Sequence, residues 1–166
     1  MKKIWWIVSM VVLLTGCSSM ETFETLGDIS HVSTTIPEPA DWMLTMPADA
    51  ALEVSLEDGG VSMYRCDGYT MVLQMLKAGD LEATIRTLSG FAPENVTILE
   101  TACGDHMRYD WIWTAVAEEG DLVCRGAVLD DGIYHYALYT IAPSQNAGEV
   151  KEDWNELFGS FCLETE

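Results

Sequence analysis

The side chains that could do nucleophilic or acid–base chemistry do not fall into a recognisable catalytic pattern. Of three histidines, His106 and His135 lie in the part of the chain expected to fold, and no Gly-x-Ser-x-Gly motif is present. A serine or cysteine nucleophile needs a base held beside it, and no spacing here predicts such a pair. Glycoside hydrolysis needs two facing carboxylates, but 27 acidic residues give no basis for choosing them. We therefore predict no catalytic residue and keep a hydrolase with paired carboxylates as an alternative.

The cysteine pattern predicts disulfide bonds and no metal-binding or redox site. Besides Cys17, the chain contains Cys66, Cys103, Cys124 and Cys162, and no C-x-x-C spacing predicts a zinc site or a redox motif. Four cysteines in an exported domain predict two disulfides. The preferred pairing is Cys103–Cys162 with Cys66–Cys124, because the last helix should run back toward the Cys103 end of the sheet. The alternative is Cys66–Cys103 with Cys124–Cys162.

Carboxylates dominate the charge of the 166-residue chain. Its net charge is −19 at pH 7, and removal of an amino-terminal leader carrying Lys2 and Lys3 would lower it by two. Such a charge argues against nucleic acid and anionic lipid as partners. The acids follow no EF-hand spacing and no phosphate-binding glycine loop follows a predicted strand, so we predict neither a metal site nor a cofactor. An acidic cation-binding protein is the second alternative.

Aromatic side chains are the remaining candidates for binding. Trp111 and Trp113 alternate along one predicted strand, as Tyr134 and Tyr136 do along another. Aromatic pairs across strands often stabilise sheets, but Trp and Tyr also favour binding surfaces because they bury a large area. We predict these four residues as a candidate contact surface for a partner, a glycan or an apolar ligand.

The amino terminus predicts the location of the protein. Two lysines precede an apolar run over residues 4–14, which is too short to span a bilayer but has the length of a signal-peptide core. The segment Leu14-Thr15-Gly16-Cys17 resembles the lipobox of bacterial lipoproteins. This resemblance implies cleavage after residue 16 and a diacylglyceryl group on Cys17. We therefore expect a lipid-anchored protein on the extracytoplasmic face of the cell membrane, with the choice between inner and outer membrane left open.

The rest of the chain divides into a tether and one domain. Residues 17–40 are rich in Ser, Thr and Pro and predict a flexible tether, whereas residues 41–166 alternate like a folded domain. Asp-Gly pairs at 58–59 and 67–68 predict the turns of a first meander of strands. Two-residue turns at 119–120 and 131–132 predict a second meander, in which Cys124 lies opposite Ala115 and Tyr139. Asp80 and Gly90 predict the ends of a first helix, and apolar spacing predicts a last helix over about 147–162.

The order strands, helix, strands, helix predicts an α+β domain, with an antiparallel sheet of two meanders and two helices packed on it. Because both faces of the second meander are largely apolar, we expect both faces of the sheet to be covered at least in part, by the two helices. This order, with the segments "AGDLEATI", "DDGIYHYALYT" and "WNELFGSFCLE", resembles the PsbP-like α+β fold over about residues 41–164. The resemblance implies a non-catalytic binding or accessory role at the cell envelope, with a protein or ligand as the unknown partner.

Overall fold

The computed structural model describes residues 39–56 and 60–164. The predicted signal peptide (1–16), the lipidation site Cys17 and residues 17–38 of the tether lie outside the described residues, as does the predicted turn at 58–59. These assignments stay predictions. Within the described ranges, no helix is long and apolar enough to cross a membrane.

The secondary structure confirms an α+β fold dominated by a sheet. Its elements are β1 (Trp42–Met43), β2 (Ala51–Leu56), β3 (Val61–Cys66), β4 (Tyr69–Lys77), α1 (Leu81–Ser89), β5 (Ile98–Cys103), β6 (His106–Ala117), β7 (Gly120–Asp130), β8 (Tyr134–Pro143), α2 (Lys151–Ser160) and β9 (Cys162–Leu163).

Seven of these strands form one antiparallel sheet, in the order β2-β3-β4-β8-β7-β6-β5. The two predicted meanders are therefore halves of a single sheet, joined where β4 pairs with β8. The structure adds a two-stranded ribbon of β1 and β9. This pairing was not predicted, because the predicted last helix extends to Cys162, the first residue of β9.

Local signals placed the ends of α1 correctly. The Asp80 carboxylate accepts a hydrogen bond from the Glu82 N–H at 3.0 Å, which satisfies a donor at the helix start. Gly90 ends the helix in the left-handed region at φ +76°, where its N–H donates to the Arg86 carbonyl.

The predicted register of the second meander is wrong by two residues. Cys124 lies opposite Trp113 and Ile141, not opposite Ala115 and Tyr139. Pairing of Ala117 with Gly120 makes residues 118–119 the turn, and the loop before β8 is longer than two residues. A shift of two residues keeps every side chain on its predicted face.

Each face of the sheet is covered in part by a helix. Helix α2 packs on one of them, the α2 face, through its buried residues Trp154, Leu157 and Phe158. On the opposite face, the α1 face, Thr84 of α1 is hydrogen-bonded to His135 of β8, with 2.8 Å between Oγ1 and Nδ1. The expectation that the two helices cover both faces at least in part is confirmed.

The four cysteines of the domain are free thiols in the structure. Cys66 packs in the α2-face core, whereas Cys124 points to the other face and lies three strands away, about 14 Å at the usual spacing. A disulfide requires Cα atoms within about 7 Å, so the predicted Cys66–Cys124 bond is wrong. The alternative Cys66–Cys103 bond would span five strand spacings, and Cys124–Cys162 would join opposite faces. Only Cys103–Cys162 stays a prediction.

Candidate functional site

A cleft of about 290 Å³ opens on the α2 face, between strands β2–β4 and the β1–β9 ribbon. Four aromatic residues line it: Trp42, Tyr64, Tyr136 and Phe161. Leu73 and Met75 of β4 add aliphatic surface, and Ser55 and Ser62 add hydroxyl groups. Mostly apolar walls with a few polar groups are typical of small-molecule sites.

The cleft contrasts with the acidity of the chain. None of the described residues that line it is charged, although the whole chain carries a net charge of −19. No charged side chain among the described lining residues could pair with an ionic ligand, whereas an apolar ligand would gain free energy by removing its surface from water. The lining therefore favours an uncharged, apolar ligand.

The ribbon wall of the cleft is held by the end of α2. The Trp42 ring packs edge-on against Phe161, with centroids 6.1 Å apart and planes at 80°. The Thr45 N–H donates to the Ser160 hydroxyl at 2.9 Å. Trp42 is still 39% exposed, so this ring lines the cleft and faces solvent.

Arg108 of β6 fixes the last turn of α2 against the sheet. Its guanidinium donates to both carboxylate oxygens of Asp110, at 2.6 and 2.9 Å, and to the Phe161 carbonyl at 2.8 Å. The hydrogen bond to Asp110 raises the pKa of Arg108, against an opposing effect of burial. Arg125 adds a contact by lying over the Phe158 ring, 4.2 Å from its centroid.

Tyr136 joins the cleft to the point where the chain enters the domain. Its hydroxyl accepts a hydrogen bond from the Ala40 N–H at 2.7 Å and donates one to Asp131 Oδ2 at 3.1 Å. Burial raises the pKa of Tyr136 to about 12; the Ala40 bond opposes this rise and Asp131 reinforces it. The hydroxyl is therefore neutral at physiological pH, and it holds the predicted end of the tether beside the cleft.

The four predicted contact residues do not form one exposed surface. Trp111 and Trp113 stack on each other on the α1 face, with centroids 6.0 Å apart, and Tyr134 and Tyr136 lie on the α2 face. All four are buried. Only Tyr136 lines the cleft, so the structure separates the two pairs that the sequence grouped.

The sequence analysis missed three aromatic residues of the cleft, Trp42, Tyr64 and Phe161. Trp42 had one usable signal, since residues 42–48 carry no charge in a very acidic chain. Tyr64 and Phe161 follow ordinary strand and helix spacing. Their meeting depends on how the end of α2 crosses the sheet, which no local pattern encodes.

The carboxylates at the β7–β8 turn stabilise that turn. Asp131 Oδ1 accepts hydrogen bonds from the Ile133 and Tyr134 N–H groups at 2.7 and 2.6 Å, and Asp130 Oδ1 accepts one from Gly132 at 2.8 Å. Neither aspartate lines the cleft. Within residues 39–56 and 60–164, no three His, Cys, Asp or Glu side chains group as metal ligands.

Thr84, His135 and Asp130 form a hydroxyl–imidazole–carboxylate series. Thr84 Oγ1 lies 2.8 Å from His135 Nδ1, and His135 Nε2 lies 3.5 Å from Asp130 Oδ2. His135 is only 1% exposed, and the Thr84 side chain is buried between α1 and the sheet. A substrate cannot reach this hydroxyl without α1 moving, so the series joins α1 to the sheet.

Comparison with solved structures identifies proteins that have a similar fold. No protein family and no curated protein matches the chain. The solution structure of the cyanobacterial PsbP protein CyanoP from Synechocystis sp. has a TM-score of 0.55 and 10% identity, and the match covers 84% of this chain and 99% of that one. LpqN, involved in cell envelope biogenesis of Mycobacterium tuberculosis, has a TM-score of 0.51 and 12% identity, covering 77% and 87%.

A third similar structure is a protein of unknown function from Pseudomonas aeruginosa. It has a TM-score of 0.52 and 12% identity, covering 76% of this chain and 99% of that one. Identities this low show a common fold and leave function open. The chain therefore has a mostly-sheet α+β fold similar to that of PsbP-like proteins.

Proposed function

We propose that the protein is a lipid-anchored, extracytoplasmic, non-catalytic binding protein that holds an aliphatic chain of an envelope lipid in its cleft. The observation that carries this proposal is the uncharged, aromatic lining of the cleft in a chain of net charge −19. Each methylene that leaves water contributes about 0.8 kcal/mol. The hydroxyls of Ser55 and Ser62 are suited to a polar group at one end of the ligand.

The predicted anchor supports a membrane lipid as the source of that chain. If Cys17 is acylated, 21 residues lie between it and Pro39, and the predicted flexible tether of that length would have a root-mean-square span of about 25 Å. The bond between Ala40 and Tyr136 places the start of the domain beside the cleft. Membrane lipids would then be at high effective concentration near its opening.

The similar structures support an accessory role in this setting. LpqN is described as involved in cell envelope biogenesis, and CyanoP is a cyanobacterial PsbP protein. Neither resemblance names a ligand, so the aliphatic chain is inferred from the lining of the cleft alone.

Photolabelling in the membrane tests the proposal. The full-length protein is expressed in cells fed a diazirine-bearing fatty acid, irradiated, and digested for mass spectrometry. We expect adducts on the peptides that contain Trp42 and Tyr64. Ser62→Phe places a ring in the cleft; displacing about four methylenes costs about 3 kcal/mol, so labelling should fall about a hundredfold. Thr101→Phe, at an exposed position of β5 outside the cleft, should leave labelling unchanged.

Three results would overturn parts of the proposal. Equal labelling of wild type and Ser62→Phe would show that the lipid does not occupy the cleft. Turnover of the bound lipid by purified protein would favour the hydrolase alternative. A melting temperature that rises strongly with calcium would favour the acidic cation-binding alternative, because a ligand that binds only the native state stabilises it.

A further inference from the structure

Strand β6 has an open edge over half of its length. It pairs with β7 along Met107 to Ala117, but β5 covers it only as far as Trp111, which lies opposite Ile98. From Ile112 to Ala117, no described strand lies on its outer side. An edge strand of this kind presents unpaired N–H and C=O groups that can template another strand.

The other open edges of the sheet carry features that block such pairing. Edge strand β2 has a register shift between Leu52 and Val54, and its Glu53 pairs with Arg65 at 3.1 Å. Edge strand β5 carries Glu100 in its middle. Charges and bulges are common means of protecting edges. By contrast, residues 111–117, "WIWTAVA", contain no charge, no proline and no glycine.

The side chains beside the open edge also suit a partner. Ile112 is 62% exposed and Val116 is 88% exposed, and both lie on the α2 face with the exposed Thr114 between them. The hairpin tip next to this edge is acidic, with exposed Glu118 and Asp121. A strand added here would contact apolar surface along its length and negative charge at one end.

We propose that the open edge of β6 is a docking site for an extended segment of another envelope protein, with alternating apolar residues and Lys or Arg at the end near the hairpin tip. The charge of the site selects this occupant. A second copy of the chain would bring another net charge of −19 and another acidic tip, and like charges repel. A basic segment would be attracted by the same charges, and main-chain hydrogen bonds would supply affinity, as in strand addition generally.

Two matched peptides test the site on the intact anchored protein in nanodiscs of neutral lipid. Both alternate valine and threonine; one ends in two lysines and the other in two glutamates. Amide hydrogen exchange of residues 112–117 is followed during titration. The lysine peptide should slow exchange there, and its affinity should exceed that of the glutamate peptide at least about tenfold and fall with added salt.

Substitutions at two edges supply the control. Val116→Lys introduces a protecting charge on the open edge and should weaken binding of the lysine peptide at least about tenfold. Leu52→Lys makes the same change at a 56% exposed position of β2 and should leave binding unchanged. The proposal is overturned if the two peptides bind equally, or if Val116→Lys has no effect. Protection of residues 112–117 without peptide that increases with protein concentration would assign the edge to a second copy and also overturn it. None of these outcomes depends on the cleft.

Discussion

Replacing Gly126 with alanine should test how tightly Trp111 packs on the α1 face. A Cβ built on Gly126 would lie 2.7 Å from Cζ2 and 2.8 Å from Cε2 of the Trp111 ring. Real Cβ atoms do not approach other atoms this closely, so the ring or the strand must move. The ring has little room to do so, because Trp111 is 2% exposed and stacks on Trp113. Gly126 does not have a positive φ, so backbone strain plays no part in the effect.

Two effects of opposite sign set the magnitude. Overpacking a dense core costs about 1–3 kcal/mol. Alanine also restricts the unfolded chain, which stabilises by about 0.4–1 kcal/mol. We therefore expect Gly126→Ala to lower the free energy of unfolding by about 1–2 kcal/mol, measured by urea denaturation followed by tryptophan fluorescence. The melting temperature should fall by about 3–8 °C for a domain of this size.

Gly159 provides the matched control. It lies in α2, and apart from its own helix turn no described atom lies within 4 Å of the position that an alanine Cβ would take there, so Gly159→Ala should stabilise the protein by about 0.5–1 kcal/mol. Trp111→Phe shortens the ring that Gly126→Ala would strike, so the double variant should lose less stability than the two single variants together. A Gly126→Ala protein as stable as the wild type, or strictly additive effects with Trp111→Phe, would refute the packing argument.

An ion pair, a disulfide and a buried thiol give three more tests. Arg108→Ala removes hydrogen bonds to a partly buried carboxylate and to the end of α2, so it should lower the free energy of urea unfolding by about 2–3 kcal/mol. Arg65→Ala removes an ion pair whose arginine side chain is 67% exposed and should lower it by less than about 1 kcal/mol; equal losses would contradict this. Cys103 and Cys162 both lie near Arg108, so peptide mapping of the exported protein without reduction should find a Cys103–Cys162 disulfide. Closing a loop of about 60 residues should raise the free energy of unfolding by about 4 kcal/mol; finding both thiols free would exclude the bond. Burial raises the pKa of Cys124 from 9.0 to about 12, so its contribution to stability is complete below pH 9 and is lost as the pH rises toward 12. Cys124→Ala should therefore make the free energy of unfolding fall less steeply over that range. Equal pH dependence of the free energy of unfolding in the two proteins would contradict the assignment.

Much of the scaffold could be predicted from the sequence because its signals are local. The Asp80 cap needs only the N–H two residues along, and Gly90 needs only its own φ. Alternation in β6, β7 and β8 set the face of each side chain, and a register error of two residues left those faces intact. Composition alone established the net negative charge. That charge contrasts with the uncharged cleft and favours a basic partner at the edge of β6.

Contacts between distant segments could be decided only by the tertiary structure. The cleft exists because the ribbon of β1 and β9 places Trp42 against Phe161, residues 119 positions apart in the chain. The Cys66–Cys124 bond is excluded because β4 and β8 lie between the two cysteines and because they face opposite sides of the sheet. The open edge of β6 is visible only in the structure, where β5 begins at Ile98, opposite Trp111. A sequence encodes the period and the ends of its elements, but which elements meet depends on packing energies summed over the whole domain.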